Sequence, residues 1–133
     1  MGGVTDDASP VFFRLDEVPW EDDRASGAVP AGMLDEADRR GGGGRKLLAA
    51  GEGGFHSSYS VVPPGFVMPA HRHDTDELVV VLAGACDWDD GSALEAGDTV
   101  IIPAGTVHGY TCGADGMTLL TVAHDAIRTE LVD

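Results

Sequence analysis

The stretch "PPGFVMPAHRHDTDELVVVLAG", Pro63 to Gly84, decides how this chain is read. Two histidines one residue apart, His71 and His73, precede a short acidic turn and an apolar run that opens on Glu77. In an extended strand residues i and i+2 point the same way, with Cα atoms roughly 6.5 Å apart. Both imidazoles can therefore aim at one point. "DTD" (74–76) is short enough for a tight turn, and adjacent antiparallel strands lie about 4.8 Å apart, so Glu77 can reach the same point. Glu77, Val79 and Val81 share one face of the run, and Leu78, Val80 and Leu82 the other. A carboxylate among valines is expensive unless it is paired, hydrogen-bonded or bound to a metal. On these residues alone two readings stand: a metal site, or an exposed polar turn beside Asp74 and Asp76.

Outward from this stretch the texture is that of short β-segments. "KLLAA" (46–50), "FHSSYSVVP" (55–63), "AHRH" (70–73), "ELVVVLAGACDW" (77–88), "DTVIIP" (98–103), "VHGYTC" (107–112) and "MTLLTVAH" (117–124) are separated by Gly, Pro and Asp. Strands at this spacing, with no long helical period among them, predict an all-β barrel or sandwich over 46–124. Residues 1–45 read as a mostly irregular, acidic arm with a Gly-rich linker. Within it "VFFRLDEV" (11–18) is a candidate strand, "AGMLDEADRR" a short helical turn, and Gly41–Gly44 a flexible joint. Residues 125–133 read as a tail.

The 133 residues suffice for one domain with a single core. Eight basic residues against 23 acidic ones give a formal charge of −15, which repels phosphate backbones and anionic lipid, so neither nucleic acid nor membrane is an expected partner. "MGGVTDDASP" has neither a basic nor an apolar leader region, and two cysteines make no disulfide framework. A cytoplasmic location with reduced thiols is expected.

A second segment, "GDTVIIPAGTVHGYTC" (97–112), brings a glycine, a strand, the turn "PAGT" and then His108. Together the two segments resemble the cupin family of small jelly-roll β-barrels. The family's first motif is met at Gly65, His71, His73, Glu77 and Gly84, and its second at Gly97, Pro103, Gly105 and His108. The second motif's closing Asn is replaced by Cys112. That position lies roughly 13 Å along the strand from His108, too far for a ligand, so the loss concerns local packing.

The resemblance covers about residues 46–124 and implies a ligand set of His71, His73, Glu77 and His108. Imidazole with carboxylate suits one divalent transition metal ion, Fe, Mn, Ni, Co, Cu or Zn. Within that family the expected activity is a metal-dependent enzyme acting on a small molecule. A dioxygenase is placed first, with Fe the favoured metal. Alternatives are a redox-neutral isomerase, cyclase or lyase, and a non-catalytic binder. Glu77 is the candidate proton acceptor, and a pocket walled by Val79 and Val81 suits an apolar or aromatic substrate. Tyr110 shares parity with His108: it either orients a substrate oxygen or fills the barrel.

His56 is read as a surface residue, His124 as exposed, and Cys86 and Cys112 as small buried hydrophobes. Trp20 and Trp88 are read as packing residues. Arg72, of opposite parity to the histidines, should pair with a surface carboxylate. Strands apolar on both faces need cover, and a homodimer is expected.

Overall fold

The positions of Gly84 and Gly116 explain the shape of the molecule, which a computed structural model describes over residues 9–132. Eight strands follow one another: β1 (Gly44–Ala50), β2 (His56–Val62), β3 (Val67–His73), β4 (Glu77–Trp88), β5 (Ala93–Glu95), β6 (Thr99–Ile102), β7 (His108–Ala123) and β8 (Thr129–Leu131). They form one antiparallel hydrogen-bonded sheet curled into two walls. In the first wall the order is β1, β2, β7, β4, β6, using residues 117–123 of β7 and 77–84 of β4. In the second it is β8, β3, β7, β4, β5, using residues 108–112 and 85–88 of the same two strands.

β4 and β7 therefore serve both walls and must bend together between them. They do so at Gly84 (φ 80°) and Gly116 (φ 72°), a backbone conformation that disfavours side chains. A Cβ on Gly84 would collide with the Gly116 carbonyl oxygen, and one on Gly116 with that of Val62. The ladder register shifts between Gly84 and Cys86, as at a bulge that re-aims a strand. This all-β jelly-roll arrangement is the one expected. Between the walls lie Phe66, Val79, Val81, Ile102, Met117 and Leu119, all buried, with Val81 fully enclosed.

Several elements differ from the sequence reading. "VHGYTC" and "MTLLTVAH" are one bent strand, because "GADG" turns the chain without ending its pairing. β5 lies within "DDGSALEAG", and β8 within the segment read as a tail. The candidate strand at 11–18 is not formed. Glu17 and Val18 donate instead to the Arg14 carbonyl in a local turn, and Phe12 is 74% exposed. Among the described residues of the arm, Glu21 alone makes a backbone hydrogen bond to β1, to the Arg45 carbonyl, while the Leu15 carbonyl accepts from the Lys46 side chain. With no ladder offered, the β-propensity of "VFF" has nothing to act on.

The arm carries two helices, α1 (Asp23–Ser26) and α2 (Ala31–Arg39). The Asp22 side chain caps α1 by accepting from the Ala25 N–H. The Arg24 guanidinium joins the helices by donating to Asp35 and Asp38. The Glu36 carboxylate, nearly enclosed, accepts from Arg39, Arg40 and the Val67 backbone N–H, and so pins α2 to the start of β3. At the end of the glycine run Gly44 packs on the Trp20 ring, where a Cβ would have no room, while Gly41 and Gly42 have open space around them. Among the described residues no helix is long and apolar enough to cross a membrane.

Candidate metal centre

Three histidines meet on the second wall. His71 of β3 and His108 of β7 are register partners, and His73 stands two residues along β3 from His71, on the same face. Ring centroids are 4.0 Å apart for His71 and His108, 4.8 Å for His71 and His73, and 5.2 Å for His73 and His108. Their ligand atoms lie within 4.8 Å of one another.

Hydrogen bonds fix the tautomers. A carbonyl oxygen only accepts, so His71 Nδ1–H donates to the Pro69 carbonyl at 2.8 Å, and His108 Nδ1–H to the Thr106 carbonyl at 2.9 Å. Each Nε2 then carries the lone pair. His73 Nδ1 lies 3.0 Å from the Thr129 hydroxyl of β8. Burial holds all three rings below the usual imidazole range, His73 at about 4. They are neutral at physiological pH, the form that ligates. Oriented neutral imidazoles with their second nitrogens engaged are what a transition-metal site requires. The donor set fits a divalent ion.

Glu77 approaches from the first wall, where it pairs with Ile102 and Ala123. Its Oε1 lies 3.4 Å from His73 Nε2, beside the tight group of three histidines. Only 7% of the residue is exposed. Burial pushes its carboxyl up to about 7. With His73 neutral, the contact is not an ion pair near neutrality, where Glu77 itself is close to its titration midpoint. A cation nearby would favour the carboxylate instead.

These groups open on a cavity of about 420 Å³. Its inner wall includes Val79, Val81, Ile102, Met117 and Leu119, with Tyr110 beside them. Tyr110 is buried, and burial raises its hydroxyl far above the usual phenol range, so it remains a donor. The outer wall comes from the arm, including Val29, Met33, Leu34 and Ala37. Sequence reading gave the arm no such role, because a cap's apolar residues have no pattern until the barrel mouth is in place. Thr129 also went unnoticed, since a hydroxyl in a short tail carries no signal of its own.

Trp88 packs against the core as expected, and it also lines the cavity and stacks on His108, with centroids 5.4 Å apart and planes 21° apart. Its indole N–H is buried without a partner of hydrogen-bonding geometry, and the Cys86 sulfur beside it is only a weak acceptor. Trp20 is half exposed and lies under the Lys46 ammonium, 4.7 Å from the ring centroid. Arg72 faces away from the centre and donates to Glu130 at 3.0 and 3.1 Å. His56 lies 4.0 Å from Asp125, apart from the cavity lining, and His124 is exposed.

Residues 58–123 match the family model described as the cupin domain. No curated protein matches the chain in sequence. Among solved structures, KdgF from Halomonas sp. is similar with a TM-score of 0.62 at 22% identity, over 86% of this chain and 94% of that one. An RmlC-like cupin from Shewanella frigidimarina gives 0.61 at 21% identity, over 86% and 90%. Oxalate decarboxylase from Bacillus subtilis gives 0.58 at 18% identity, over 68% of this chain but 28% of that protein. At these identities the likeness concerns the fold. With both motifs' histidines converging on one point of a jelly roll, and with this family match, the chain belongs to the cupin superfamily.

Proposed function

We propose that this cupin is a metal-dependent enzyme of the oxygenase type acting on a small apolar or aromatic molecule. His71, His73 and His108 would hold the ion, with Glu77 as fourth ligand. The observation that carries this reading is the neutral three-histidine cluster opening, with Glu77, on a cavity whose barrel lining is mostly aliphatic and aromatic, with Ser58, Ser60 and Thr121 among it. Bound there, a divalent transition metal supplies an electrophile and, if redox-active, the electrons that O2 chemistry needs.

The chain's own residues do the rest. The Glu77 carboxylate takes the substrate's acidic proton at the oxygen nearest His73. Tyr110, held protonated by burial, donates to a substrate oxygen. Val79, Val81, Ile102 and Leu119 exclude water and select an apolar body. Aliphatic and aromatic side chains outnumber Ser58, Ser60 and Thr121 among the barrel residues of the lining, which suits a largely apolar substrate and supports placing oxygenation first. Glu77 standing beside the histidine group rather than within it favours the second reading, in which the same carboxylate acts as base in an isomerase or lyase.

The outer face of the first wall exposes Leu78, Leu82 and Ile101, which supports pairing of two copies through this face.

The test is elemental analysis of protein purified without added metal, then anaerobic reconstitution with Fe(II) and O2 uptake with catechols, enolisable ketones and thiols. Oxygen uptake coupled to product formation is expected. Copurified zinc with no oxygen consumption would move the assignment to redox-neutral chemistry or binding.

A further inference from the structure

Cys86 and Cys112 are register partners on β4 and β7. Both are free thiols, 3% and 4% exposed. The kind of pair they form follows from the bonds around them. The Cys112 N–H donates to the Phe66 carbonyl, just ahead of β3, and two residues along β4 the Trp88 N–H donates to the Ser92 carbonyl. Both point away from the shared β4–β7 ladder, which makes Cys86 and Cys112 a non-hydrogen-bonded pair. In such pairs the Cα atoms approach to about 4.5 Å and the side chains lie close. Disulfides need Cα atoms roughly 4.4–6.8 Å apart. The parity that turns Trp88 and Tyr110 inward turns both cysteines inward too, and Cys86 lines the cavity while Cys112 lies behind it.

We propose that Cys86 and Cys112 are a modification site, a thiol pair that hydrogen peroxide entering the cavity converts to an intrachain disulfide. The Cys86 sulfur attacks one peroxide oxygen and the O–O bond breaks. The products are a sulfenic acid at Cys86 and one water, which carries the thiol proton. The Cys112 sulfur then attacks the Cys86 sulfur, the S–O bond breaks, and hydroxide leaves with the Cys112 proton as a second water. Two electrons pass from the two sulfurs to one peroxide. Burial keeps both thiols protonated, Cys112 with its value pushed up to about 12. The pair is therefore slow, and records sustained rather than brief exposure. The new bond ties β4 to β7 one inward step from Trp88, the residue stacked on His108.

Treatment of the full chain with hydrogen peroxide, followed by intact-mass and peptide analysis without reductant, tests this. Wild-type protein is expected to lose the mass of two hydrogen atoms, yield a peptide pair linked through positions 86 and 112, and recover on addition of dithiothreitol. In Cys112→Ser dimedone captures a sulfenic acid at Cys86, whereas Cys86→Ser leaves Cys112 a free thiol. The proposal fails if either sulfur gains oxygen without cross-linking, or if the bond joins two chains. It also fails if both thiols stay free in folded protein while the urea-unfolded chain reacts.

Discussion

His71 and His108 face each other directly across β3 and β7, each with its Nδ1 held by the backbone carbonyl two residues earlier in the chain. Both rings are fixed in one tautomer by local backbone, so Nε2 is presented without any help from a distant side chain. His73 differs, since its Nδ1 depends on Thr129.

His71→Ala or His108→Ala should purify with little or no transition metal under conditions where the wild type holds one ion per chain. Thr129→Val should keep the site but weaken it, by about 10–100-fold as for other outer-sphere partners. Plasma mass spectrometry and a competitive chelator titration measure both. Wild-type metal content in the alanine variants would remove the assignment.

Stability of the metal-free protein should respond to pH through Glu77 and His73 in opposite senses. Glu77 has a folded value of about 7, above its ordinary 4.5. Its contribution is complete below about pH 4.5 and is lost as pH rises through about 7. His73 has a folded value of about 4, below its ordinary 6.5. Its contribution is present above about pH 6.5 and is lost as pH falls through about 4. Glu77→Gln, uncharged throughout, should therefore gain on the wild type between about pH 5 and pH 8, by on the order of a few kcal/mol. Urea unfolding in a chelator reads this out. An unchanged difference between the two proteins across that range would show that Glu77 is not buried in the metal-free state. With metal added the same substitution should weaken binding.

Gly84→Ala and Gly116→Ala should each destabilise strongly. The left-handed backbone alone costs about 1–3 kcal/mol for a non-glycine residue, and the clash with a facing carbonyl adds to it. Thermal unfolding checks this, with Gly91→Ala as control: Gly91 also has positive φ but open space around it, so it should show only the backbone cost.

Light scattering should give a dimer at micromolar concentration, and Ile101→Arg should convert it to monomer while leaving the far-UV spectrum unchanged. Ile101 is 68% exposed on β6, across from Leu78, so an arginine there can reach solvent within one chain. A monomeric wild type would overturn the pairing.

Period-two alternation made much of the barrel legible in the letters. His71 and His73 had to share a face, and Glu77 had to point with Val79 and Val81. The trio's closure with His108 was not legible from alternation, because His71 and His108, 37 positions apart, meet only through the β3–β7 ladder. It came from the resemblance. The arm misled for a different reason. "VFF" has the composition of a strand, but strand formation needs a partner edge, and that is a property of the whole fold. The packing role of Trp88 was legible, but not its stacking on His108, because its sequence neighbours do not reveal that it lies diagonal to that histidine across the ladder.

The histidines stand on one wall of the curled sheet and Glu77 on the other, joined through the short turn at 74–76 and through the two strands that bend at Gly84 and Gly116. An ion bonded to all four side chains would act as a removable rivet through both walls. Melting temperature would then track free metal concentration, as for any ligand that binds only the folded state. The protein's thermal stability would report metal supply before any turnover was measured.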